Sequence, residues 1–286
     1  MTDSAAAALA DFSSTRQPEE LMTEQAQQAA LRRARGEIPE LHRLLDEAVT
    51  ALRTSLAVVV ENFPPDATAL AVAATALGRV DPSCNGPVPD TLVHDVVDSE
   101  ARPYRDPDPF HTDSPLQAEP HAYLGLLCVR PSPAGDGRTV LVSAADVAAE
   151  IADDGRLRAL QAPRYPFAVP REPGEPGEPG GDGSSVTTHP ILTVSGEDVT
   201  VRYCPVRVTA GVRSAGHALD AEHVDALGAF ERALEAPRLP TVFLLRAGEL
   251  LLLDNRRLLH GRTDVGPSGV GRHLMRVKVR TRTADA

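Results

Sequence analysis

The sequence is poor in cysteine and has no long apolar segment. Its three cysteines, Cys84, Cys128 and Cys204, are scattered, whereas disulfide frameworks and thiolate zinc sites need paired spacings. The apolar run Leu250–Leu253 is far shorter than the roughly 20 residues that a membrane-spanning helix requires. The Ala5–Ala8 run has no basic flank, so it does not read as a signal peptide. We therefore expect a cytoplasmic protein in a reducing compartment.

Positive charge and nucleotide-binding glycine motifs are also lacking. Lys and Arg total 29 against 40 Asp and Glu, which gives a net charge of −11. Such a chain repels nucleic acid phosphates, so nucleic acid is an unfavourable partner. Neither GxGxxG nor GxxxxGK[ST] occurs, so the sequence has neither of the usual nucleotide-binding motifs. The remaining composition, 42% hydrophobic and 24% charged, is typical of a globular protein.

Hydrophobic periodicity predicts a helical N-terminal region followed by a strand-rich remainder. Three- and four-residue spacings predict helix from Pro18 to about Ser55, and three further helices are predicted at 67–77, 144–151 and 220–234. The predicted strands are Ala57–Glu61, Val93–Val97, His121–Val129, Arg138–Val142, Ile191–Val194, Val199–Tyr203, Val206–Thr209, Thr241–Arg246, Glu249–Asp254 and Arg272–Arg282.

The segment Glu172–Ser185 repeats Glu-Pro-Gly three times and contains almost no apolar residue. It cannot bury enough surface to order itself, which predicts a loop. Because strands resume at Ile191, we expect an insertion within one domain spanning 1–286. That domain comprises a helical region at about 18–80 and a β core at about 93–283.

A candidate metal site begins with His111 and Asp113. Residues i and i+2 of an extended segment project to the same side, so this pair can reach one metal ion. His260, which follows an apolar strand, supplies a possible third ligand. Two histidines and one carboxylate on one face of a metal leave the other coordination positions open, an arrangement used by non-haem Fe(II) oxygenases. His223 and Asp225 share the spacing but lie on a predicted helix, where we expect a solvated face.

Two arginines after His260 suggest an anion clamp beside that site. Arg272 and Arg276 fall on one side of a predicted strand, and a guanidinium group holds a carboxylate with two parallel hydrogen bonds. Between the candidate ligands, Asp254-Asn255-Arg256 is predicted to form a hydrogen-bonded turn that positions His260. We assign no role to the remaining histidines, and Cys128 is predicted to be a packing residue.

Several motifs together resemble those of a known enzyme superfamily. In chain order they are FHTD (110–113), YLGLLCVRP (123–131), GDGRT (135–139), LLLLDNRRLLHGRT (250–263) and RHLMR (272–276). Their order and spacing are similar to those of the Fe(II)/2-oxoglutarate-dependent oxygenases of the taurine dioxygenase and clavaminate synthase superfamily. YLGLLCVR and DNRRLLHGR look most like the clavaminate synthase branch, which includes hydroxylases of free amino acids. That branch commonly has His-x-Glu, so Asp113 is a departure from it and is typical of taurine dioxygenase.

The resemblance implies a mainly β double-stranded β-helix, or jelly roll, with flanking helices. It also implies that His111, Asp113 and His260 bind Fe(II), and that Arg272 and Thr139 hold the distal carboxylate of the co-substrate 2-oxoglutarate. Arg276 corresponds to a residue that contacts the substrate α-carboxylate or lies beside the iron-binding end of the oxoacid. A carboxylate at position 113 argues against halogenation.

The expected activity is hydroxylation of an unactivated C–H bond with O2. The expected substrate is a small molecule, a free or carrier-bound L-amino acid in specialised metabolism such as antibiotic biosynthesis. Alternatives are a taurine dioxygenase-like enzyme acting on a sulfonate or carboxylate, and a desaturase or cyclase. A zinc hydrolase would need a nearby general base, but HExxH is absent. A non-catalytic cupin-like binding protein is a further alternative, and the sequence leaves the oligomeric state open.

Overall fold

A computed structural model describes residues 1–82, 91–97, 108–169, 186–214, 218–236, 238–265 and 271–282. The predicted loop Glu172–Ser185 therefore lies outside the described residues. The helices are α1 (Asp3–Ser14), α2 (Glu24–Glu37), α3 (Pro39–Ser55), α4 (Ala67–Ala74), α5 (Ala144–Ile151), α6 (Asp154–Leu160), α7 (Pro205–Arg213) and α8 (Ala221–Leu234), with a 3-10 turn at Pro18–Leu21.

Fourteen strands lie in the described part of the chain. They are β1 (Ala57–Val60), β2 (Arg79–Val80), β3 (His94–Val97), β4 (Asp108–His111), β5 (Tyr123–Arg130), β6 (Thr139–Ser143), β7 (Tyr165–Phe167), β8 (Thr187–His189), β9 (Leu192–Ser195), β10 (Asp198–Val201), β11 (Thr241–Phe243), β12 (Leu250–Asp254), β13 (Leu258–Arg262) and β14 (His273–Arg280). No described helix has the length and apolar character needed to span a membrane.

Two antiparallel sheets form the core. The larger has the order β1-β12-β5-β14-β2, with β3 also paired to β14, and the smaller has the order β11-β6-β13-β4. Leucines of both sheets, among them Leu124, Leu251, Leu258 and Leu274, pack together between them. Helices α1–α4 cover the outer face of the larger sheet, and α5–α8 cover that of the smaller sheet. This arrangement agrees with the expected jelly roll with flanking helices.

The predicted helix over 18–55 is divided. Pro18 begins the 3-10 turn and Pro39 begins α3, because proline is tolerated in the first turn of a helix but not in its interior. The segment Asp3–Ser14, which the periodicity analysis left unassigned, forms α1 with Thr2 as its N-cap.

Two predictions about the smaller sheet's surroundings are wrong. Val206–Thr209, predicted as a strand, belongs to α7, which begins at Pro205 and packs so closely on β7 that a Cβ at Gly211 would lie 2.3 Å from the Pro166 carbonyl oxygen. His223, predicted on a solvated face of α8, is buried, and its ring stands 5.7 Å from that of Tyr165. The face of α8 that carries His223 packs against Tyr165.

Candidate metal centre

Pairing of β4 with β13 brings distant residues together. The two strands are antiparallel, and His111 stands directly opposite His260. Their ring centroids are 4.3 Å apart. Asp113 follows His111 on the chain that leaves β4, and its Oδ1 lies 3.7 Å from His111 Nε2. The three side chains singled out in the sequence therefore converge on one point.

The donor set fits a divalent metal ion. One donor atom from each of His111, Asp113 and His260 lies within 4.8 Å of the others, the sole such group of three or more His, Cys, Asp or Glu side chains in the described part of the chain. One of their ring nitrogens, His260 Nδ1, is buried without a hydrogen-bond partner. Buried polar atoms are normally satisfied, so its state here is consistent with a site for a bound group.

His111 is oriented by the backbone behind it. Its Nδ1 lies 2.9 Å from the Pro109 carbonyl oxygen, which can only accept a hydrogen bond. Nδ1 therefore carries a proton, which leaves Nε2, the nitrogen on the side of Asp113, as the one that a metal can use. This tautomer presents the correct nitrogen to a metal.

A glycine allows β4 and β13 to approach each other beside the ligands. The pairing shifts register between His260 and Arg262, and a Cβ on the intervening Gly261 would lie 2.6 Å from the Asp108 carbonyl oxygen. Only glycine fits this close backbone contact. Because Gly261 has no side chain, β13 can lie close to β4, and this close approach positions His260.

Asn255 holds Asp113 in place. This fully buried amide accepts a hydrogen bond from Asp113 N at 2.8 Å, and its Nδ2 donates to Asp113 O at 3.1 Å and to His121 O at 2.8 Å. The sequence predicts that the turn around Asn255 positions His260. The direct contacts of this amide are to the backbone of Asp113 and of His121.

Two cations face the outer oxygen of Asp113. Arg276 Nη1 is 3.1 Å and Lys278 Nζ is 3.4 Å from Oδ2. Burial alone would raise the pKa of the Asp113 carboxyl, but these two cations outweigh it and hold the pKa well below its ordinary value. The sequence analysis missed Lys278, although a signal was present: it lies two residues after Arg276 and so on the same face of the strand.

The pKa shifts of the other titratable groups at the site differ in direction. Burial lowers the pKa of His260 to about 3, so its imidazole is neutral. For His111, Asp113 and Asp108 outweigh burial and raise its pKa. Burial lowers the pKa of Lys278, with repulsion from Arg276 and Arg207 acting in the same direction.

The predicted co-substrate residues lie toward the other end of β14. Arg272 and Thr139 are both buried. Thr139 begins β6 on the smaller sheet, whereas Arg272 directly precedes β14 on the larger one. The Cβ position of Gly137, which has a φ of +63°, is 3.4 Å from Arg272 Cδ, so the turn leading into β6 packs against that arginine.

Comparison with known proteins identifies the family. The sequence model described as "Taurine catabolism dioxygenase TauD, TfdA family" matches residues 22–278. The chain belongs to this family, which confirms the superfamily expected from its motifs. Together with the His-Asp-His donor set, this membership defines a non-haem iron dioxygenase that uses 2-oxoglutarate. A search among curated proteins found no match.

Solved structures support the same fold. An asparagine oxygenase in complex with Fe(II), 2S,3S-3-hydroxyasparagine and succinate superposes with a TM-score of 0.74 at 22% identity, over 98% of this chain and 92% of the other. The non-haem iron oxygenase OrfP in complex with Fe and α-ketoglutaric acid gives a TM-score of 0.73 at 18% identity, over 99% and 93%. At these identities the likeness establishes the fold.

Proposed function

We propose that this protein hydroxylates an unactivated C–H bond of a small amino acid or amino-acid derivative. One observation carries the proposal: the pairing of β4 with β13 places His111 opposite His260, and Asp113, just beyond β4, joins them beside Arg276 of β14. Two histidines and a carboxylate hold a metal on one face and leave positions open for other ligands.

In this proposal His111, Asp113 and His260 are the Fe(II) ligands. Iron bound there would supply the activation of O2 that is coupled to decarboxylation of 2-oxoglutarate. The chain's own part is positioning. Arg272 and Thr139, both buried, hold the distal carboxylate of the oxoacid.

The substrate class is supported by the neighbouring structures. The asparagine oxygenase is seen with a hydroxylated asparagine, and OrfP with L-Arg and L-homoarginine. We propose by extension that Arg276 takes the α-carboxylate of the substrate, and that the reaction belongs to specialised metabolism. The two described cysteines, Cys128 and Cys204, are free thiols, in keeping with a cytoplasmic location.

Chelation of 2-oxoglutarate by ferrous iron tests the metal assignment. Anaerobic addition of Fe(II) and 2-oxoglutarate should produce a weak visible absorption band, and His260→Ala should abolish it. His42→Ala is a matched control, because His42 lies on α3 with a half-exposed ring. A band of full intensity in His260→Ala would refute the ligand set.

The co-substrate clamp is tested by titrating the same band. Arg272→Ala should weaken 2-oxoglutarate binding by about 2–5 kcal/mol, the usual cost of removing one partner of a buried ion pair. Succinate release coupled to substrate distinguishes the proposed oxygenase from a zinc hydrolase or a non-catalytic binding protein. Unchanged 2-oxoglutarate affinity in Arg272→Ala would remove that residue from the clamp.

A further inference from the structure

Lys278 is the single lysine of the chain, and it lies at the metal centre. The other 28 basic residues counted with it are arginines. Its neighbours Val277 and Val279 pack toward the helices, whereas Lys278 points the other way, as do Leu274 and Arg276. An ammonium group is a compact point charge, unlike the planar guanidinium. Lys278 thus differs from the other basic residues of the chain in its ammonium group, and it lies at the metal centre.

Positive charge exceeds negative charge around this lysine. Arg276 and Lys278 share one carboxylate, Asp113, and no other carboxylate of the described residues lies within 4.0 Å of either cation. Two donor atoms nearby, Arg276 Nε and Arg207 Nη1, are buried without a hydrogen-bond partner. Uncompensated buried charge is costly, and a divalent metal on Asp113 adds to the excess. The arrangement therefore calls for a further anion.

The oxoacid does not remove this excess. Its two carboxylates carry two negative charges, which balance the two positive charges of a ferrous ion, and Arg272, proposed above for its distal carboxylate, brings one more positive charge. The further anion must therefore come from the substrate.

An ordinary amino acid does not remove the excess charge, because its ammonium group offsets its α-carboxylate. A second acidic group does remove it. Arg276 Nη1 and Lys278 Nζ lie 3.1 Å and 3.4 Å from the same oxygen, Asp113 Oδ2, so the two charged groups are within about 6.5 Å of each other. This spacing suits two acidic groups of one small molecule, one on each cation.

Resting on the function proposed above, we propose that Lys278 determines substrate specificity by binding a second acidic group, so that the enzyme hydroxylates an acidic amino acid of the aspartate or glutamate class. The reaction consumes substrate, 2-oxoglutarate and O2, and yields hydroxylated substrate, succinate and CO2. In this respect the chain differs from OrfP and the asparagine oxygenase, whose observed ligands carry basic or neutral side chains.

Isosteric substrate pairs test the proposal. Succinate release should show a kcat/KM at least tenfold higher for L-aspartate than for L-asparagine, or for L-glutamate than for L-glutamine. Lys278→Met should remove that preference, and Lys278→Arg should retain most of it. Arg246→Met removes a well-exposed cation outside the site, so it controls for the change in net charge and should leave the preference intact.

A binding measurement on the wild-type protein remains decisive even if Lys278→Met does not fold. Since Lys278 is the only lysine, an amine-reactive reagent can modify just this side chain and the N-terminus. With redox-inactive Zn(II) and 2-oxoglutarate present, the acidic member of a pair should slow labelling of Lys278 at least fivefold more than its amide. Mass spectrometry measures that protection, and the N-terminal amine serves as the internal reference.

The outcomes separate the two proposals. Turnover of neutral or basic amino acids with no preference for acidic ones, or equal protection by both members of a pair, would overturn the role of Lys278 and leave the oxygenase intact. Absence of the Fe(II)–oxoacid band would instead overturn the proposed function itself.

Discussion

Replacing Asn255 with alanine tests how the carboxylate ligand is held. The amide makes three hydrogen bonds inside a fully buried site, two to the backbone of Asp113 and one to that of His121. Alanine would leave one N–H and two carbonyl groups without these partners. A buried orphaned polar group costs roughly 1–3 kcal/mol, so we expect the free energy of unfolding to fall by about 3–5 kcal/mol.

Two assays follow this substitution. Urea unfolding of the metal-free protein, monitored by circular dichroism, gives the change in stability. Titration with Mn(II) should show metal affinity at least tenfold weaker, because residues that orient a ligand typically contribute that much. Asn62→Ala, which removes an exposed amide bonded to Met1 O and Asp3, should cost no more than about 1 kcal/mol. A loss below about 1 kcal/mol in Asn255→Ala would refute this account of the site.

Three further results are expected. Gly261→Ala should force β13 away from β4, since its Cβ would lie 2.6 Å from Asp108 O, and Mn(II) affinity should fall while Gly36→Ala, at an open helix position, has no effect on it. Burial lowers the pKa of His121 from 6.5 to about 4, so the unfolded chain protonates first on acidification. Stability should then fall by about 1.4 kcal/mol per pH unit between those values; His121→Gln should flatten that slope, and parallel pH curves would contradict it. Burial raises the pKa of Cys128 to about 11, so this thiol should resist alkylation at pH 7.5 until the protein is unfolded, as a comparison of native and urea-treated samples would show.

Part of the site could be predicted because its signals are local. His111 and Asp113 are two residues apart on an extended segment, and Arg272 and Arg276 share a strand face, so simple periodicity places each pair on one side. Prediction of the third ligand, His260, required the order of the motifs as well. The strand that carries His111 was not among the predicted strands, because its sequence, Asp-Pro-Phe-His, contains an acidic residue and a proline that usually mark turns.

Other features have no local signal. The amide of Asn255 reaches Asp113 across 142 residues of sequence, and no spacing rule connects them. The alternation in Val206–Thr209 spans too few residues to distinguish strand from helix, although Pro205 is a helix-start signal that could have decided it. His223 is buried because α8 packs against Tyr165, a tertiary contact that the sequence pattern of α8 does not contain.

The electrostatics of the centre explain how it can form before a metal binds. Metal ligands must be deprotonated, and each proton displaced weakens apparent affinity. Burial keeps His260 neutral, since its pKa is about 3, and the cations at 276 and 278 keep Asp113 ionised by lowering its pKa. His111 alone has a raised pKa, so metal binding near neutral pH displaces at most the proton of one imidazole. The same two cations that fix the charge of Asp113 leave an excess of positive charge at the site, and under the proposal made above this excess favours an anionic substrate.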